Sequence, residues 1–270
     1  MNLNHYIEEL KTLVNVDCGT QTLDGVATVA GVVQNLWKAE GWHTEQIDLG
    51  DNVGPGIFVC NKPRATQFDV LLVGHLDTVF PAGTVAERPM SQDETCLYGP
   101  GVSDMKSGLL SILWAMRTLD AADKERLSIA VAMNPDEETG SVYSHEGIGE
   151  LAQRARCVLF CEAARADGSL VNARKGMAGY HLTFSGVAAH AGNDPEKGRS
   201  AITALANSIL AINALTDMDK GTTLNVGVIS GGSAANGVAD SAGAEPDGRF
   251  WENDECARGT SALQAVGAKA

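Results

Sequence analysis

The chain has 270 residues, of which 44% are hydrophobic and 20% charged, so we expect a globular protein with a full core and two domains. Its net charge of −14 leaves no basic stripe to neutralise phosphates, which excludes nucleic acid as a partner. No apolar run is long enough for a membrane span and the first residues do not form a secretory signal, so we expect a cytoplasmic protein without membrane contact, its six cysteines free and buried.

The first part of the chain alternates predicted helices and strands. Apolar residues at helical spacing predict helices over residues 4–17, 25–41 and 105–119. Short apolar runs bounded by turns predict strands that are buried on both faces, as in a sheet covered by helices. These strands are 57–60, 69–75, 127–134 and 158–163. The pattern predicts an α/β fold with a mixed, mostly parallel sheet flanked by helices.

The pattern changes from about residue 175. Residues 178–186 alternate like a half-exposed strand, 200–215 predict an amphipathic helix, and 222–232 predict a further strand. We therefore predict a smaller α+β domain with its own sheet, and place the boundary between residues 1–174 and 175–270.

Acidic and imidazole side chains follow three of the predicted strands. His75 and Asp77 come after DVLLV, Glu137 and Glu138 after IAVAMN, and Glu162 after VLF. In open α/β sheets, ligands gather at the carboxyl ends of strands. We expect these side chains to lie together at one edge of the sheet.

The His-x-Asp pair has the residue types of a metal site. Both side chains lie on one face of an extended segment. His75 could bind a metal while Asp77 orients an imidazole, although a turn or a helix cap is the alternative. Asp104, in the glycine-rich YGPGVSDMKSG, could bridge two cations or simply cap a helix.

Adjacent carboxylates repel each other unless a cation or a proton lies between them. If Glu138 binds a metal, Glu137 is free to accept a proton from water, whose pKa zinc lowers to about 7. The alternative is an exposed acidic turn. Glu162 suits a terminal ligand of a second metal, although a lone carboxylate at a strand end is usually solvated.

Four segments, GHLDTVF, YGPGVSDMKSGLLSIL, NPDEETGS and FCEAA, resemble in order the motifs of the M20 family of zinc metallopeptidases. They are most similar to its glutamate carboxypeptidase (carboxypeptidase G2-like) branch. The resemblance implies two divalent ions, zinc in the family, with cobalt or manganese as substitutes. It implies His75 and Glu162 as terminal ligands on separate ions, with Asp104 bridging them. Glu138 then binds one ion, Glu137 is the general acid and base, and Asp77 supports His75.

The later segment SGVAAHAG resembles a loop of the family's lid or dimerisation domain. The resemblance implies a catalytic domain over 1–174 and a lid domain over 175–270 that forms a homodimer. His190 would stabilise the oxyanion, and its alternative is a loop histidine at a subunit interface. Asn236 and Arg249 match positions that bind the substrate carboxylate, although Arg249 could be an ordinary charge at a strand end.

Two departures from the family pattern lead to further expectations. The family continues beyond the lid with a stretch that carries a last histidine ligand, and this sequence stops at Ala270. We therefore expect a C-terminally truncated catalytic domain that is one ligand short. We also expect Pro246 and Gly248 to interrupt the alternating strand that the family has around residues 241–259, because proline lacks a ladder donor and glycine weakens a strand.

Three functions are compatible with these residues. The first is a metal-dependent hydrolase that cleaves an amide or peptide bond beside a free carboxylate, in a peptide or an N-acyl amino acid, with water activated by two metals. The second is an inactive remnant that binds metal weakly or only self-associates. The third is a deacylase or desuccinylase of the M20 type, which would share the ligands and differ in the substrate pocket.

Overall fold

The computed structural model describes residues 2–267, which divide after Ser169 into two compact units. The division lies a few residues before the predicted boundary between residues 174 and 175. Within residues 2–267, no helix combines the length and the apolarity that crossing a bilayer requires.

The first unit contains a five-stranded sheet and six helices among the residues described. The helices are α1 Leu3–Val14, α2 Leu23–Ala39, α3 Thr84–Glu87, α4 Ser107–Thr118, α5 Ala121–Arg126 and α6 His145–Gln153. The strands are β1 His43–Ile47, β2 Gly56–Cys60, β3 Val70–His75, β4 Ser91–Gln92, β5 Leu97–Tyr98, β6 Ile129–Asn134 and β7 Val158–Phe160. Strands β4 and β5 form a separate hairpin.

The main sheet has the order β1-β2-β6-β3-β7 and is mixed, as predicted. Strand β3 runs parallel to both β6 and β7, while β1–β2 and β2–β6 are antiparallel pairs. Every residue of β6 is buried, as its continuous apolar run predicts. The same prediction is wrong for β7, a short strand at the edge of the sheet, because Leu159 and Phe160 are exposed. Residues of α1, α2 and α4, such as Leu10, Trp37 and Leu109, join the core cluster on one side of the sheet. Residues of α6, including Ile148 and Leu151, pack against a second cluster.

The second unit has two helices and a sheet of its own among the residues described. The helices are α7 Ala201–Asn213 and α8 Asn253–Gly267. The strands are β8 Gly176–Gly179, β9 Leu182–Ser185, β10 Ala189–His190, β11 Thr223–Gly231, β12 Gly237–Val238 and β13 Ser241–Phe250. Strand β13 is central, with β11 on one side and β8 and β9 on the other, while β10 pairs with β12. This is the predicted small α+β unit.

The expected interruption at Pro246 and Gly248 is wrong, because β13 continues through both residues. A bulge in β11 lies beside Pro246, where the register shifts between Val226 and Val228. On the other side of β13, the carbonyl of Pro246 accepts a hydrogen bond from Tyr180 N. The N–H of a strand residue points the same way as its carbonyl, so the missing N–H of Pro246 faces the break between β8 and β9, where strand pairing is interrupted. The strand alternates buried and exposed residues along most of its length, as a half-covered sheet requires.

All six cysteines are free, but the expectation that they are buried holds only in part. Cys18 and Cys60 lie in the core, whereas Cys96 and Cys157 are exposed. Cys96 lies in the turn of the β4–β5 hairpin and Cys157 just before the short strand β7. Neither position is covered by another element, so apolar sequence context alone did not decide burial there.

Candidate metal centre

Three chain segments bring ligand atoms together beside the carboxyl end of β3. His75 is the last residue of β3, Asp104 lies just before α4, and Glu138 lies in the turn after β6. One potential ligand atom from each lies within 4.8 Å of the others. Glu162 follows β7, and its Oε1 is 3.7 Å from His75 Nε2. Because β3 is parallel to β6 and β7, the three strands end on the same side, as predicted.

The two ring nitrogens of His75 have different surroundings. Nδ1 contacts oxygen atoms of Asp77, and Nε2 faces the carboxylates of the cluster. Its Nδ1 is 3.0 Å from the backbone oxygen of Asp77 and 3.3 Å from Asp77 Oδ1, both acceptors. In a neutral ring that binds a metal through Nε2, the proton lies on Nδ1, where these acceptors receive it. His75 Nε2 is 3.0 Å from Asp104 Oδ1. This is the arrangement of a metal-binding histidine whose second nitrogen is fixed by an acceptor.

Without a cation, the cluster holds protons that a metal would replace. Burial alone lowers the pKa of His75, but the hydrogen bond and charge of Asp77, with Glu162 and Asp104, raise that pKa to about 9. Burial, followed by the charge of Asp104, raises the pKa of Glu138 to about 7. An imidazole nitrogen and carboxylate oxygens at these distances suit zinc and similar divalent ions.

Asp77 lies behind the cluster and connects its segments. Its carboxylate is buried and accepts hydrogen bonds from Glu137 N to Oδ1 and from Glu138 N to Oδ2, both at 3.2 Å. Thr20 Oγ1 donates to Oδ2 at 2.6 Å. Asp77 therefore contacts both His75 and the glutamate pair, and its expected role in supporting the site stays a prediction.

Glu137 and Glu138 begin a short 3₁₀ turn, Glu137–Thr139, with different exposure. Glu137 is exposed to solvent, whereas Glu138 is half-buried among the carboxylates. The preceding Asp136 is completely buried and accepts from Ser144 Oγ at 2.5 Å and from Tyr143 N at 2.7 Å. Asp136 thus closes the loop that carries the glutamate pair, a role that the sequence did not indicate.

The segment before α4 is fixed by a buried lysine. Asp104 has 62% of its side chain exposed, and its peptide bond to Met105 is cis. Lys106 is buried, and its Nζ donates to the backbone oxygen of Val16 at 3.1 Å. Burial lowers the pKa of Lys106. The contact ties the segment of Asp104 to the loop after α1.

The three predicted substrate residues lie in the second unit. His190 and Asn236 are brought together by the β10–β12 pair, in which His190 faces Gly237 and Ala191 N donates to Asn236 O. His190 Nδ1 accepts from Gly192 N and Asn193 N, both at 3.1 Å. Arg249 lies on the exposed side of β13 and pairs with Asp247 at 2.8 Å. Their roles toward a substrate stay predictions.

Two family models match the chain. The model described as peptidase family M28 matches residues 57–204, more than half of the chain, and the peptidase dimerisation domain of the M20 type matches residues 172–266. The first match contains all six predicted residues of the centre, and the second contains His190, Asn236 and Arg249.

Individual peptidases and deacylases are similar to this chain in sequence. Carboxypeptidase G2 from Pseudomonas sp. (strain RS-16) is 31% identical over 92% of this chain and 60% of its own length. Acetylornithine deacetylase from Proteus mirabilis is 30% identical over 63% of this chain and 46% of its own. The chain thus spans well under two thirds of the length of both relatives.

Solved structures share the fold. Aminopeptidase PepT from Bacillus cereus superposes with a TM-score of 0.76 at 24% identity, over 99% of this chain and 72% of that one. An M20 family metallo-carboxypeptidase from Sulfolobus solfataricus gives 0.72 at 20% identity, over 98% and 75%. At these identities the likeness concerns the fold alone. The two family matches identify this chain as a member of the M20/M28 metallopeptidases, hydrolases that work with divalent metal ions, as its motifs predicted.

Proposed function

We propose that the chain carries the metal centre of a hydrolase that cleaves an amide or peptide bond next to a free carboxylate. The observation that carries the proposal is the group formed by His75, Asp104 and Glu138, with ligand atoms within 4.8 Å of one another. Glu162, 3.7 Å from His75 Nε2, extends the group toward a second ion. We propose two ions, with zinc as the metal, because mixed imidazole and carboxylate ligands suit it.

Four of these residues would bind the metal ions, and a fifth would transfer a proton. A divalent ion bound there would polarise a carbonyl and lower the pKa of water to about 7. His75, Asp104, Glu138 and Glu162 would hold the ions, with Asp104 between them. Glu137 is exposed, and its backbone is fixed by Asp77. It is the carboxylate we assign to accept the proton of the attacking water and return it to the leaving amine.

The second unit supplies the proposed substrate contacts and partner. His190, on the β10–β12 pair, would donate to the oxyanion, while Asn236 and Arg249 would bind the substrate carboxylate. The match to a peptidase dimerisation domain supports a homodimer formed through this unit. We propose a small peptide or N-acyl amino acid as the substrate, and the cytoplasm as the location.

Deacylation is the second candidate, favoured by the similarity to acetylornithine deacetylase. It needs the same ligands and the same proton acceptor. Hydrolysis can be measured with acylated glutamate, aspartate, ornithine and diaminopimelate and with short peptides. The acyl groups and amino acids that the chain accepts would distinguish a deacylase from a peptidase.

Metal content and turnover of two variants test the proposal. We expect up to two zinc ions per chain by plasma emission spectrometry. Glu138→Gln should reduce the metal content, because it replaces a negatively charged carboxylate ligand by a neutral amide. Glu137→Gln should leave metal content unchanged and lower any turnover by at least about a hundredfold. A chain that holds no metal would support the inactive remnant, and turnover retained by Glu137→Gln would remove Glu137 as the base.

A further inference from the structure

The loop between α1 and α2 runs beside the segment that carries His75 and Asp77. Thr78 N donates to Cys18 O at 3.0 Å, and Thr20 N donates to Thr78 O at 3.2 Å. A Cβ on Gly19 would lie 2.3 Å from the backbone oxygen of Phe80. The loop can therefore approach this segment only with glycine at position 19.

This approach places the Thr20 hydroxyl on the carboxylate of Asp77. Thr20 Oγ1 donates to Asp77 Oδ2 at 2.6 Å, and both side chains are buried. The same carboxylate accepts from Glu137 N and Glu138 N at 3.2 Å and lies 3.3 Å from His75 Nδ1. Asp77 thus contacts two of the segments that carry the metal group.

The distances indicate which donor fixes the carboxylate plane. An O–H···O⁻ contact of 2.6 Å is in the range of strong, charge-assisted hydrogen bonds. The two amide contacts at 3.2 Å are at the long end of ordinary N–H···O bonds. Without the hydroxyl, a buried oxygen loses its shortest donor, and the carboxylate can turn about its Cβ–Cγ bond.

We propose that Thr20 is a positioning residue of the metal centre. It holds the plane of the Asp77 carboxylate, and through it both the ring of His75 and the backbone of the glutamate pair. The proposal rests on the proposed function, since it assigns Thr20 a part in metal binding. Thr20 itself contacts no potential ligand atom in the cluster through its hydroxyl, which is directed to Asp77.

The test compares Thr20→Val, which keeps the shape and removes the hydroxyl, with Thr20→Ser, which keeps the hydroxyl. Thr22→Val is the matched control, because Thr22 lies in the same loop and its side chain makes no capping hydrogen bond. Two quantities are measured on each purified chain: the affinity for Zn²⁺ by competition with a chelator, and the amide resonances of Glu137 and Glu138 in the metal-free chain. Circular dichroism verifies folding.

We expect Thr20→Val to weaken Zn²⁺ binding about tenfold, which is the usual effect of removing a hydrogen bond that helps to orient a metal ligand. It should also shift the amide resonances of Glu137 and Glu138, while Thr20→Ser and Thr22→Val resemble the parent. If Thr20→Val does not fold, Thr20→Ala removes the same hydroxyl without adding bulk. A folded variant without the hydroxyl that keeps the parent's affinity and resonances overturns the proposal.

The two proposals fail differently. A parent chain that binds no Zn²⁺ contradicts the proposed function, and the amide resonances then decide alone whether Thr20 positions Asp77. A parent that binds Zn²⁺ while Thr20→Val binds it equally well contradicts only the role of Thr20. A purely structural threonine would change the unfolding temperature and leave both readouts of the folded chain unchanged.

Discussion

At the scale of single residues, hydrogen-bond partners favour opposite tautomers of two histidines. His75 Nδ1 faces the backbone oxygen of Asp77 at 3.0 Å, so its Nε2 is available as a ligand. His190 Nδ1 accepts from two backbone N–H groups at 3.1 Å, so its neutral ring carries the proton on Nε2. These tautomers suit the proposed roles, a metal ligand for His75 and a hydrogen-bond donor for His190.

We predict that neutral His190 is almost entirely the Nε2–H tautomer. Two backbone donors on Nδ1 stabilise its lone pair and oppose the other tautomer. Side-chain ¹⁵N chemical shifts measured above neutral pH report the tautomer of each ring. His181, exposed in the same unit, is the control and should show the averaged shifts of an imidazole in water. Averaged shifts at His190 would contradict the prediction and weaken its assignment as an oxyanion donor.

The residues of the centre differ in how far the sequence predicts them. His75 ends the buried strand β3, Glu138 follows the buried strand β6, and Glu162 follows the largely exposed strand β7. Strand prediction and the carboxyl-end rule suffice to bring them together. Thr20 and Asp136 have no such signal. Thr20 reaches Asp77 across 57 positions of sequence, and Asp136 differs from its acidic neighbours only by burial. Such contacts depend on packed loops, which local patterns do not determine.

At the scale of elements, one glycine lets α4 approach the end of β7. A Cβ at Gly108 would lie 2.2 Å from the backbone oxygen of Cys161, the residue before Glu162. Asp104 precedes the same helix. The approach of α4 to this strand end therefore decides how closely Asp104 and Glu162 can face His75.

We predict that Gly108→Ala destabilises the chain by about 1–3 kcal/mol, because the backbone must move to relieve the overlap. It should also weaken Zn²⁺ binding. Gly149→Ala is the matched control, since Gly149 lies in helix α6 with nothing within 4 Å of its missing Cβ. That change should stabilise the chain by about 0.5–1 kcal/mol. Urea unfolding followed by circular dichroism measures both, and equal effects of the two substitutions would disprove the steric argument.

In the second unit, Glu255 anchors the first turn of α8. Hydrogen bonds from Arg258, Lys220 and Thr222 hold the pKa of its carboxyl at about 2, below the ordinary 4.5. A lowered pKa in the folded state contributes stability that is complete above the unfolded value and is lost as the pH falls toward the folded one. The contribution of Glu255 should therefore fade between about pH 4.5 and pH 2.

We predict that Glu255→Gln lowers the unfolding temperature at neutral pH and that the difference from the parent disappears at about pH 2. Thermal unfolding at a series of pH values measures this. Glu252→Gln, at an exposed position just before α8, is the control and should change the unfolding temperature little at any pH. A difference that persists at the lowest pH would mean that the amide disturbs packing and that charge is not the cause.

The longest apolar elements were predictable, whereas β1, α5, α6 and α8 were not predicted and β13 was expected to break. Continuous apolar runs predicted β3 and β6 because buried strands need apolar residues on both faces. Pro246 was expected to break β13, because sequence patterns show the missing donor and not the partner strands. The missing N–H of Pro246 points to the break between β8 and β9, where strand pairing is interrupted, so its environment tolerates the missing donor.

At the scale of the whole molecule, we assign metal binding to the first unit and dimerisation to the second. The metal centre lies in the first, whereas the match to a peptidase dimerisation domain covers residues 172–266 of the second. In the sheet of the second unit, β11 is a nine-residue strand at one edge and pairs with β13 on one side. The opposite edge consists of the short strands β8 and β9, of four residues each. The longer edge is the better template for pairing between copies.

We therefore predict that the chain forms a dimer through β11. Val228 and Ile229, 56% and 61% exposed, would be covered by the second copy. Ile229→Lys would place like charges near each other across a two-fold axis and weaken the dimer at least about tenfold, or about 1.4 kcal/mol. Met177→Lys adds the same charge on β8, at the other edge, where the residue is 66% exposed, and should leave the dimer intact. Sedimentation equilibrium measures the association of all three chains. Dissociation by Met177→Lys, with Ile229→Lys still dimeric, would assign the interface to the opposite edge, and a monomeric parent would contradict the proposed homodimer.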